Sequence, residues 1–352
     1  MLWVHARPCY NEIVPYGPPG HSQQHSHMTS PQTPPKDLLI IDGFNILYRS
    51  FHGNNNLTGP NGQPTGAVHG FMKTLQFLER QLPNYQVVIT LDPFPQNCLH
   101  TIQQAAPARL QQLADLGDSG PSRKDILPSY KGTRSAMPDD LQKQLLPLTF
   151  ILQGHGYPIL QGNAYAEADD LLATLTTQAM ARNAKVVIAT SDKDGMAMVK
   201  DGQCQVFNPN SNKFMTEADV FEKYGVQPHQ IEDYLALMGD AVDNIPGVAK
   251  CGEKTAAKWL GLYGDLAGVM ANAGAIKGVV GDNLRAALPH LPVARSLTGL
   301  KRNLPVDYDT ATAAQPRDVD LLITMYQQLG MKTALAKLNN TSLSRSLNPD
   351  QS

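Results

Sequence analysis

Three short apolar runs recur along the chain, and each leads into an aspartate. LLII precedes Asp42, VVITL precedes Asp92, and VVIAT stands just before Asp192. Continuous Val/Ile/Leu runs of this length are typical of parallel strands that are buried on both faces. Amphipathic stretches lie between them and predict helices over Gly66–Gln81, Asp139–Gln153 and Glu167–Ala181. The alternation of strands and helices predicts an α/β fold with a doubly wound, mostly parallel sheet.

Other stretches of the chain break this alternation. Residues 1–36 are rich in Pro, His, Ser and Gln and indicate a disordered arm, in which translation could start at Met1 or Met28. Residues 93–122 are rich in Gln, Ala and Pro, with a helix predicted near 107–116, and residues 227–264 are typical of two helices joined by a Gly/Pro turn. We therefore expect an arm (1–36), a core (37–226) with an insertion or arch (93–143), a helical region (227–340) and a flexible tail (341–352).

Composition narrows the class of protein only slightly. The net charge of −2 indicates no overall basic surface, although clustered carboxylates would mask a local basic face. The four cysteines are far apart, which argues against a zinc site or a disulfide framework and fits a reducing compartment. We find neither a membrane-spanning apolar run nor a signal peptide, so we expect a cytoplasmic protein.

The acidic residues are placed where parallel sheets bind ligands. Asp192 and Asp194 are two residues apart, and Asp240 and Asp243 are three apart, so each pair can share a face. In open α/β sheets the carboxyl ends of the strands border the binding crevice. The candidate ligands are Asp42, Asp92, Glu167, Asp169, Asp170, Asp192, Asp194, Asp240 and Asp243.

So many carboxylates predict bound cations, because without them mutual repulsion would raise their pKa values or unfold the site. Oxygen ligands without His or Cys favour Mg²⁺ or Mn²⁺ over zinc. Two such ions about 3.5–4 Å apart can hold both oxygens of a phosphoryl displacement. The alternative is that a lone Asp after a strand is a turn or N-cap residue, and Asp169 could be only a helix cap.

Six motifs follow one another along the chain: IIDGFNILYRSFH (40–52), TGAVHGFMKTL (65–75), YKGTRSAMPDDL (130–141), EADDLLATL (167–175), TSDKDGMAMV (190–199) and YLALMGDAVDNIPGVAKCGEKTAAKWL (234–260). In this order they resemble the 5′ nuclease family, specifically the 5′-nuclease domain of bacterial DNA polymerase I and stand-alone flap endonucleases. A weaker match continues through residues 294–309. The resemblance implies a Mg²⁺-dependent structure-specific nuclease of replication and repair that cleaves DNA with 5′ flaps, 5′ ends or gaps. We expect it to act as a monomer.

The resemblance also implies roles for individual residues. Asp42, Asp92, Glu167 and Asp169 would hold one metal ion with Asp170 beside them, and Asp192, Asp194, Asp240 and Asp243 would hold a second. Lys131 and Arg134 would reach the scissile phosphate from a helical arch. Arg49 and Arg123 match further phosphate contacts, whereas Tyr48 and Tyr130 would either stack on unpaired bases or pack in the core or arch.

GVAKCGEKTAAKWL resembles a helix–hairpin–helix (H3TH-type) turn, which grips a DNA phosphate, often through K⁺. Gly247, Gly252, Lys254 and Thr255 are the candidate DNA-binding residues, because amides at a helix N-terminus are phosphate donors. Lys250 and Cys251 depart from the family pattern of a glycine and an aliphatic residue. If this position requires a positive φ, Lys250 is strained and K⁺ binding is open to question. The segment from Asp92 to Lys131 is also some twenty residues longer than the family pattern.

The motifs argue against three other interpretations. CGEKT lacks the full Walker A spacing. A PIN-type ribonuclease or a Toprim-like enzyme would share the carboxylate crevice, but neither accounts for YKGTR or for the helix–hairpin–helix. A catalytically idle DNA-binding protein would require losses among the carboxylates, and none is lost.

Overall fold

The computed structural model describes residues 36–54, 56–95 and 120–338. The arm predicted over 1–36, apart from Lys36, lies outside the described residues. So do the tail predicted over 341–352 and the helix predicted near 107–116. The described residues belong to one compact unit.

A six-stranded sheet forms the centre of the fold. Its strands are β1 (Leu38–Asp42), β2 (Gln86–Leu91), β3 (Ile159–Gln161), β4 (Val186–Ala189), β5 (Cys204–Asn208) and β6 (Lys213–Met215). They lie in the order β3-β2-β1-β4-β5-β6. The five strands from β3 to β5 run parallel, and β6 forms one edge, antiparallel to β5. The mostly parallel, doubly wound sheet is confirmed.

The central strands are apolar because both of their faces are covered. Leu38 and Ile40 pack into one hydrophobic cluster, whereas Leu39 and Ile41 pack into the other. All five residues of β1 are buried. The alternation of side chains across a strand therefore supplies two cores from one continuous apolar run.

The helices of the core cover both faces of the sheet. They are α1 (Gly43–Gly53), α2 (Gly66–Gln81), α3 (Arg123–Ile126), α4 (Asp139–Gly154), α5 (Ala168–Ala181) and α6 (Glu217–Tyr224). Helices α1, α2 and α4 pack on the Leu39/Ile41 face, and α5 packs on the opposite face. The bounds predicted for α2 match, and those for α4 and α5 are wrong by one residue at one end.

Short helices follow the core and surround a small hairpin. They are α7 (Ile231–Met238), α8 (Glu253–Tyr263), α9 (Leu266–Ala271), α10 (Gly278–Ala287), α11 (Leu291–Thr298), α12 (Tyr308–Thr312) and α13 (Val319–Gln328), with helical residues also at 332–338. The hairpin pairs β7 (Gly239–Asp240) with β8 (Ile245–Pro246) between α7 and α8. The predicted helix–turn–helix over 227–264 is therefore present as α7, the hairpin and α8.

Glycine is required where this hairpin closes. Gly239 has φ +76°, and a Cβ on Gly247 would lie 2.2 Å from the Gly239 nitrogen. A side chain at Gly247 would collide with backbone, so the tight connection between α7 and α8 depends on this residue. No helix in the described part of the chain is long and apolar enough to cross a membrane.

Candidate functional site

Asp42 and Asp192 bring the ends of the two central strands together. Asp42 ends β1 and accepts hydrogen bonds from the Asn45 amide (3.2 Å) and from the Thr190 hydroxyl (2.7 Å), just past β4. The same Thr190 hydroxyl accepts a hydrogen bond from the Asp192 amide (3.0 Å). Because β1 and β4 are parallel neighbours, their carboxyl ends meet at one edge of the sheet.

Asp92 and the EADD segment form the adjoining wall of the crevice. Asp92 follows β2, and its carboxylate accepts a hydrogen bond from the Ala168 amide (2.9 Å) at the start of α5. Glu167 is the N-cap of α5, where the Asp170 side chain accepts a bond from the Glu167 amide in a capping box. This local geometry places Asp169 in the first turn of α5.

The electrostatics show that these carboxylates face one another. Burial, together with repulsion from Asp192 and Asp92, raises the pKa of Asp42 to about 7. Burial and repulsion from Asp42, Asp192, Asp92 and Asp194 raise the pKa of Asp169 well above its ordinary value. Burial and repulsion from Asp192 raise the pKa of Asp194 to about 8. We call Asp42, Asp92, Asp169, Asp192 and Asp194 the acidic cluster.

The acidic cluster is suited to hard divalent cations. Its donors are all carboxylate oxygens, and one Asp194 carboxylate oxygen is buried without a hydrogen-bond partner among the described residues. In residues 36–54, 56–95 and 120–338, no three acidic, His or Cys side chains stand together as a ready-made cage for one ion. Ionised carboxylates that lie close together repel one another, and a bound divalent cation would offset that repulsion.

Asp240 and Asp243 lie at the border of the cluster, and both are paired with cations. The Asp240 carboxylate forms an ion pair with the Lys193 ammonium (2.8 Å). Burial alone would raise the pKa of Asp240, but this ion pair lowers it. Asp243 pairs with the Arg134 guanidinium and accepts a hydrogen bond from the Tyr130 hydroxyl (3.3 Å). Both residues lie close to the cluster, because the charge of each contributes to raising the pKa of Asp194.

Lys131 and Arg134 stand against the acids, but they do not lie on a helix. The Lys131 ammonium is 2.9 Å from a Glu167 oxygen, and the residue has φ 55°, which a right-handed helix excludes. The Lys131 amide bonds to the Asp243 carbonyl (2.9 Å), which holds the segment in a turn. The expectation that this pair projects from a helical arch is therefore wrong for the described part of the arch.

The structure corrects the roles expected for Arg123 and Asp170. The Arg123 guanidinium makes hydrogen bonds to both Asp170 oxygens (2.6 and 2.8 Å), and its remaining donors bond to the Leu297 and Gly299 carbonyls. Asp170 is fully buried and also accepts a hydrogen bond from the Lys301 amide (2.9 Å). Both Asp170 oxygens already accept hydrogen bonds, so Asp170 is not a metal ligand in this arrangement. The donors of Arg123 are used inside the protein, so Arg123 is not free to contact a phosphate.

The three remaining candidates of the core differ in accessibility. Tyr130 is 3% exposed, and its hydroxyl donates to Glu167 (3.0 Å), so it packs in the core and does not stack on bases. Tyr48 is partly buried near Asp92 and Arg134. Arg49 is exposed and bonds to the Asn210 side chain and the Pro209 carbonyl, which lie beyond β5.

Three of the helix–hairpin–helix residues lie at the start of α8, whereas Gly247 follows β8 in the hairpin before it. Gly252 is the N-cap of α8, Lys254 is exposed in its first turn, and Thr255 follows it. Lys250 is exposed and has a positive φ of 62°, so its backbone is strained, as expected for a residue other than glycine at such a position. A β-carbon in this region costs about 1–2 kcal/mol.

Four residues that sequence reasoning did not single out contribute to the site. Thr190 and Asn45 join the strand ends, since Asn45 accepts hydrogen bonds from the Ser191 amide and hydroxyl. Lys193 neutralises Asp240, and Tyr165 lies beside Glu167 in a neighbouring pocket. Lys193 and Thr190 stand inside the TSDKD motif, which was the available signal for them.

Two family models match this chain. A family model described as the N-terminal resolvase-like domain of 5′-3′ exonuclease matches residues 37–100 and 93–225. A second, described as the C-terminal SAM fold of 5′-3′ exonuclease, matches residues 226–320. The chain belongs to the 5′-3′ exonuclease family.

The relatives that match this chain include a 5′-3′ exonuclease of similar length and DNA polymerases that are about three times as long. The 5′-3′ exonuclease of Aquifex aeolicus is 31% identical over 306 residues, which cover 86% of this chain and 96% of that protein. DNA polymerase I of Mycobacterium tuberculosis is 32% identical over 312 residues, which cover 86% of this chain. The aligned part is 32% of that polymerase, so the chain spans about a third of the length of the polymerases that it matches.

Solved structures share the fold. The structure of T5 5′-exonuclease with bound divalent zinc ions has a TM-score of 0.58 at 21% identity, and the match covers 88% of this chain and 99% of that one. A T5 flap endonuclease in a complex with DNA and metal ions has a TM-score of 0.57 at 19% identity.

Proposed function

We propose that this protein is a Mg²⁺-dependent 5′ nuclease that hydrolyses DNA at 5′ ends and at 5′ flaps. The observation that carries the proposal is the acidic cluster at the carboxyl edge of the sheet, bordered by the cations of Lys131 and Arg134. The opposed charges suit a phosphodiester that is held between divalent ions and basic side chains. Membership of the family supports the same activity.

The chain's own residues divide the work of such a reaction. Asp42, Asp92, Glu167 and Asp169 would hold one Mg²⁺, and Asp192 and Asp194, with Asp240 and Asp243 beside them, would hold the second; Mn²⁺ could replace either. Bound ions supply charge neutralisation and lower the pKa of water for in-line attack on phosphorus. Cleavage of the P–O3′ bond leaves a 5′-phosphate and a 3′-hydroxyl.

Lys131 and Arg134 would hold the scissile phosphate. Each is paired with a carboxylate in this structure, Glu167 and Asp243 respectively, and each can exchange that partner for a phosphate oxygen. The Tyr130 hydroxyl would hold the Glu167 and Asp243 carboxylates in fixed positions relative to each other, because it contacts both. Tyr48 lies near Asp92 and Arg134. Tyr48 and the exposed Arg49 are further candidates for contact with the substrate strand.

The helix–hairpin–helix would hold duplex DNA at a distance from the cut. In the first turn of α8 the Thr255 amide already donates to the Gly252 carbonyl (3.0 Å), so the Glu253 and Lys254 amides would face a phosphate, and the Lys254 ammonium adds a charge beside them. We propose that K⁺ can bridge this turn to DNA, although Lys250 replaces the usual glycine. The expectations of a monomer and of a cytoplasmic location stay predictions.

One assay tests the proposal. A labelled 5′ flap beside a nicked duplex, a duplex with a free 5′ end and a single strand are incubated with Mg²⁺, Ca²⁺ or chelator. We expect cleavage of the first two substrates in Mg²⁺ alone, and Asp192→Asn should abolish it while still binding the flap in Ca²⁺. Binding without cleavage by the wild-type protein would instead support an idle DNA-binding protein.

The same substrates test the bridging cation. Duplex binding is measured in K⁺ and in Li⁺ at equal ionic strength. Weaker binding in Li⁺ is expected if K⁺ occupies the turn, and equal binding would show that Lys250 excludes it.

A further inference from the structure

A pocket of about 410 Å³ adjoins the acidic cluster on the side of the loop before α5. Asp92, Glu167 and Lys131 line it where it meets the cluster. Lys124 and Tyr165 line it as well, and both of these side chains are exposed. Its volume falls within the range of small-ligand sites, which begins at about 300 Å³.

Tyr165 is unusual among the aromatic residues of this protein. Among the Phe, Tyr and Trp side chains that the structure describes, only Tyr165 and Phe221 are exposed, at 40% and 51%. Phe221 lies on α6, whereas Tyr165 lines a pocket that also contains four cationic side chains, those of Arg123, Lys124, Lys131 and Arg134. Of these, Arg123 is paired with the buried Asp170. An exposed aromatic ring beside basic groups is the arrangement that binds single-stranded nucleic acid.

The backbone around Tyr165 is held at both ends, so its ring is presented from a fixed position. The Tyr165 amide donates to the Asn163 side chain (2.8 Å), which also accepts from the Ala166 amide. The Tyr165 carbonyl accepts a hydrogen bond from the Lys301 ammonium (2.6 Å). The same ammonium contacts the Pro121 carbonyl (3.3 Å) on the segment that leads into α3. Lys301 therefore joins two walls of the pocket. A pocket whose walls are already held in place loses less conformational entropy when a ligand binds, which favours binding.

The charge of the pocket indicates which ligand it takes. Lys131 and Arg134 are paired with Glu167 and Asp243, but Lys124 is exposed and forms no ion pair with any residue in the described ranges. A planar ring and an exposed ammonium match the two parts of a nucleotide, its base and its phosphate.

We propose that this pocket binds one unpaired nucleotide of the substrate strand next to the cleaved phosphodiester, with Tyr165 stacking on the base and Lys124 contacting a phosphate. This subsite rests on the proposed nuclease function, because only a strand that crosses the acidic cluster would reach the pocket. It would give the enzyme a preference for substrates whose 5′ strand is already unpaired at the cut.

The test combines variants with an abasic scan. A 5′ flap substrate carries a single abasic site, placed in turn at each unpaired nucleotide near the duplex. Affinity is measured in Ca²⁺ and the single-turnover rate in Mg²⁺. We expect Tyr165→Ala to weaken flap binding roughly ten-fold to one-hundred-fold, and Tyr165→Phe to stay close to wild type because the ring is retained.

One abasic position should reproduce that loss in the wild-type protein and add no further loss in Tyr165→Ala. Phe221→Ala is the matched control and should have no effect. Binding to a duplex closed by hairpins, which has no 5′ strand, should be unchanged in Tyr165→Ala. Lys124→Ala should reduce the slope of log affinity against log salt by about 0.7 for a single-strand contact, whereas Lys143→Ala on α4 should not.

Separate outcomes overturn the subsite and the function. If the wild-type protein cleaves the flap in Mg²⁺ but Tyr165→Ala binds and cleaves equally well, the subsite is wrong and the nuclease function stands. Losses that are the same for flap and closed duplex, or additive with every abasic position, would also exclude stacking. If the wild-type protein shows no Mg²⁺-dependent cleavage, the proposed function itself is wrong.

Discussion

Asp42 accepts a hydrogen bond from the Asn45 amide and another from the Thr190 hydroxyl, so one carboxylate caps α1 and also faces the acidic cluster. From the sequence, an N-cap role and a metal-ligand role are alternatives for such an aspartate. A carboxylate has two oxygens with about four acceptor sites, so capping leaves Asp42 acceptor sites for a cation. Asp170 differs from Asp42, because both of its oxygens accept hydrogen bonds from the Arg123 guanidinium and from the Lys301 and Glu167 amides.

Lys131 provides the prediction at the scale of a residue. Its ammonium faces Glu167 and, through space, Asp92, and these charges raise its pKa even though burial acts in the opposite direction. Lys131→Ala should lower the single-turnover rate by about 10²–10³-fold, because a positive charge at the phosphate matters most as charge develops. Flap affinity in Ca²⁺ should change much less.

Lys143→Ala is the control for Lys131→Ala. Lys143 is largely exposed on α4 and pairs with Asp140, three residues away. Its loss should leave both rate and affinity near wild type. Small and equal effects of Lys131→Ala on rate and affinity would return Lys131 to the role of a surface charge.

At the scale of elements, Arg123 joins three parts of the chain. Its guanidinium links α3 to Asp170 on α5 and to the carbonyls of Leu297 and Gly299 at the end of α11. Glu167 is also within 3.4 Å of it. The base of the arch is thus attached both to the helix that presents Asp169 and to the helical region after the core.

Arg123→Met should destabilise the protein by about 3–5 kcal/mol, because it leaves the buried Asp170 charge without its partner. Urea unfolding measures this loss. The double variant Arg123→Met/Asp170→Leu should recover much of the stability, because neither charge is then stranded. If Arg123 were instead a phosphate contact, Arg123→Met would weaken flap binding and leave the unfolding midpoint unchanged.

At the scale of the whole molecule, the acidic cluster makes stability depend on pH and on divalent ions. The pKa values of Asp42 and Asp194 are raised to about 7 and about 8 by burial and mutual repulsion. A carboxyl with a raised folded-state pKa contributes stability that is full below its unfolded pKa and is lost as pH rises through the folded pKa. Without divalent ions, stability should therefore fall between pH 6 and 8.5.

Thermal unfolding in chelator at pH 6.5 and 8.5 checks this expectation. Asp194→Asn should be more stable than wild type at pH 8.5 by on the order of 1–3 kcal/mol, and the gap should narrow at pH 6.5. Mg²⁺ should raise the wild-type Tm more at pH 8.5 than at pH 6.5. A wild-type Tm that is insensitive to both pH and Mg²⁺ would contradict the assignment of the cluster.

His155 limits the pH range of that measurement. Burial lowers the pKa of His155 to about 4, and its ring is hydrogen bonded to the Tyr326 hydroxyl (2.6 Å). A histidine with a depressed pKa costs stability only as pH falls from its unfolded value of about 6.5 toward 4. At pH 6.5 and above its contribution is small, so the change up to pH 8.5 reports mainly on the carboxylates.

The apolar runs and the carboxylates after them determined the parallel sheet, the edge at which the site forms and most of its acidic residues. They did so because both features are local: a strand buried on both faces has to be continuously apolar, and parallel strands end at one edge. The strands β3, β5 and β6 carried no comparable signal, since β3 and β6 are three residues long and β5 contains Gln205 and Asn208.

Tertiary structure alone decided which charges remain available. Arg123 and Asp170 are 47 residues apart in sequence yet neutralise each other in the interior, and the turn at Lys131 depends on the carbonyl of Asp243. Nothing in YKGTR or EADD encodes those pairings, because an ion pair depends on where folding brings its partner. The same applies to Tyr165, which becomes a candidate for base stacking only because Lys301 and Asn163 hold its backbone beside the acidic cluster.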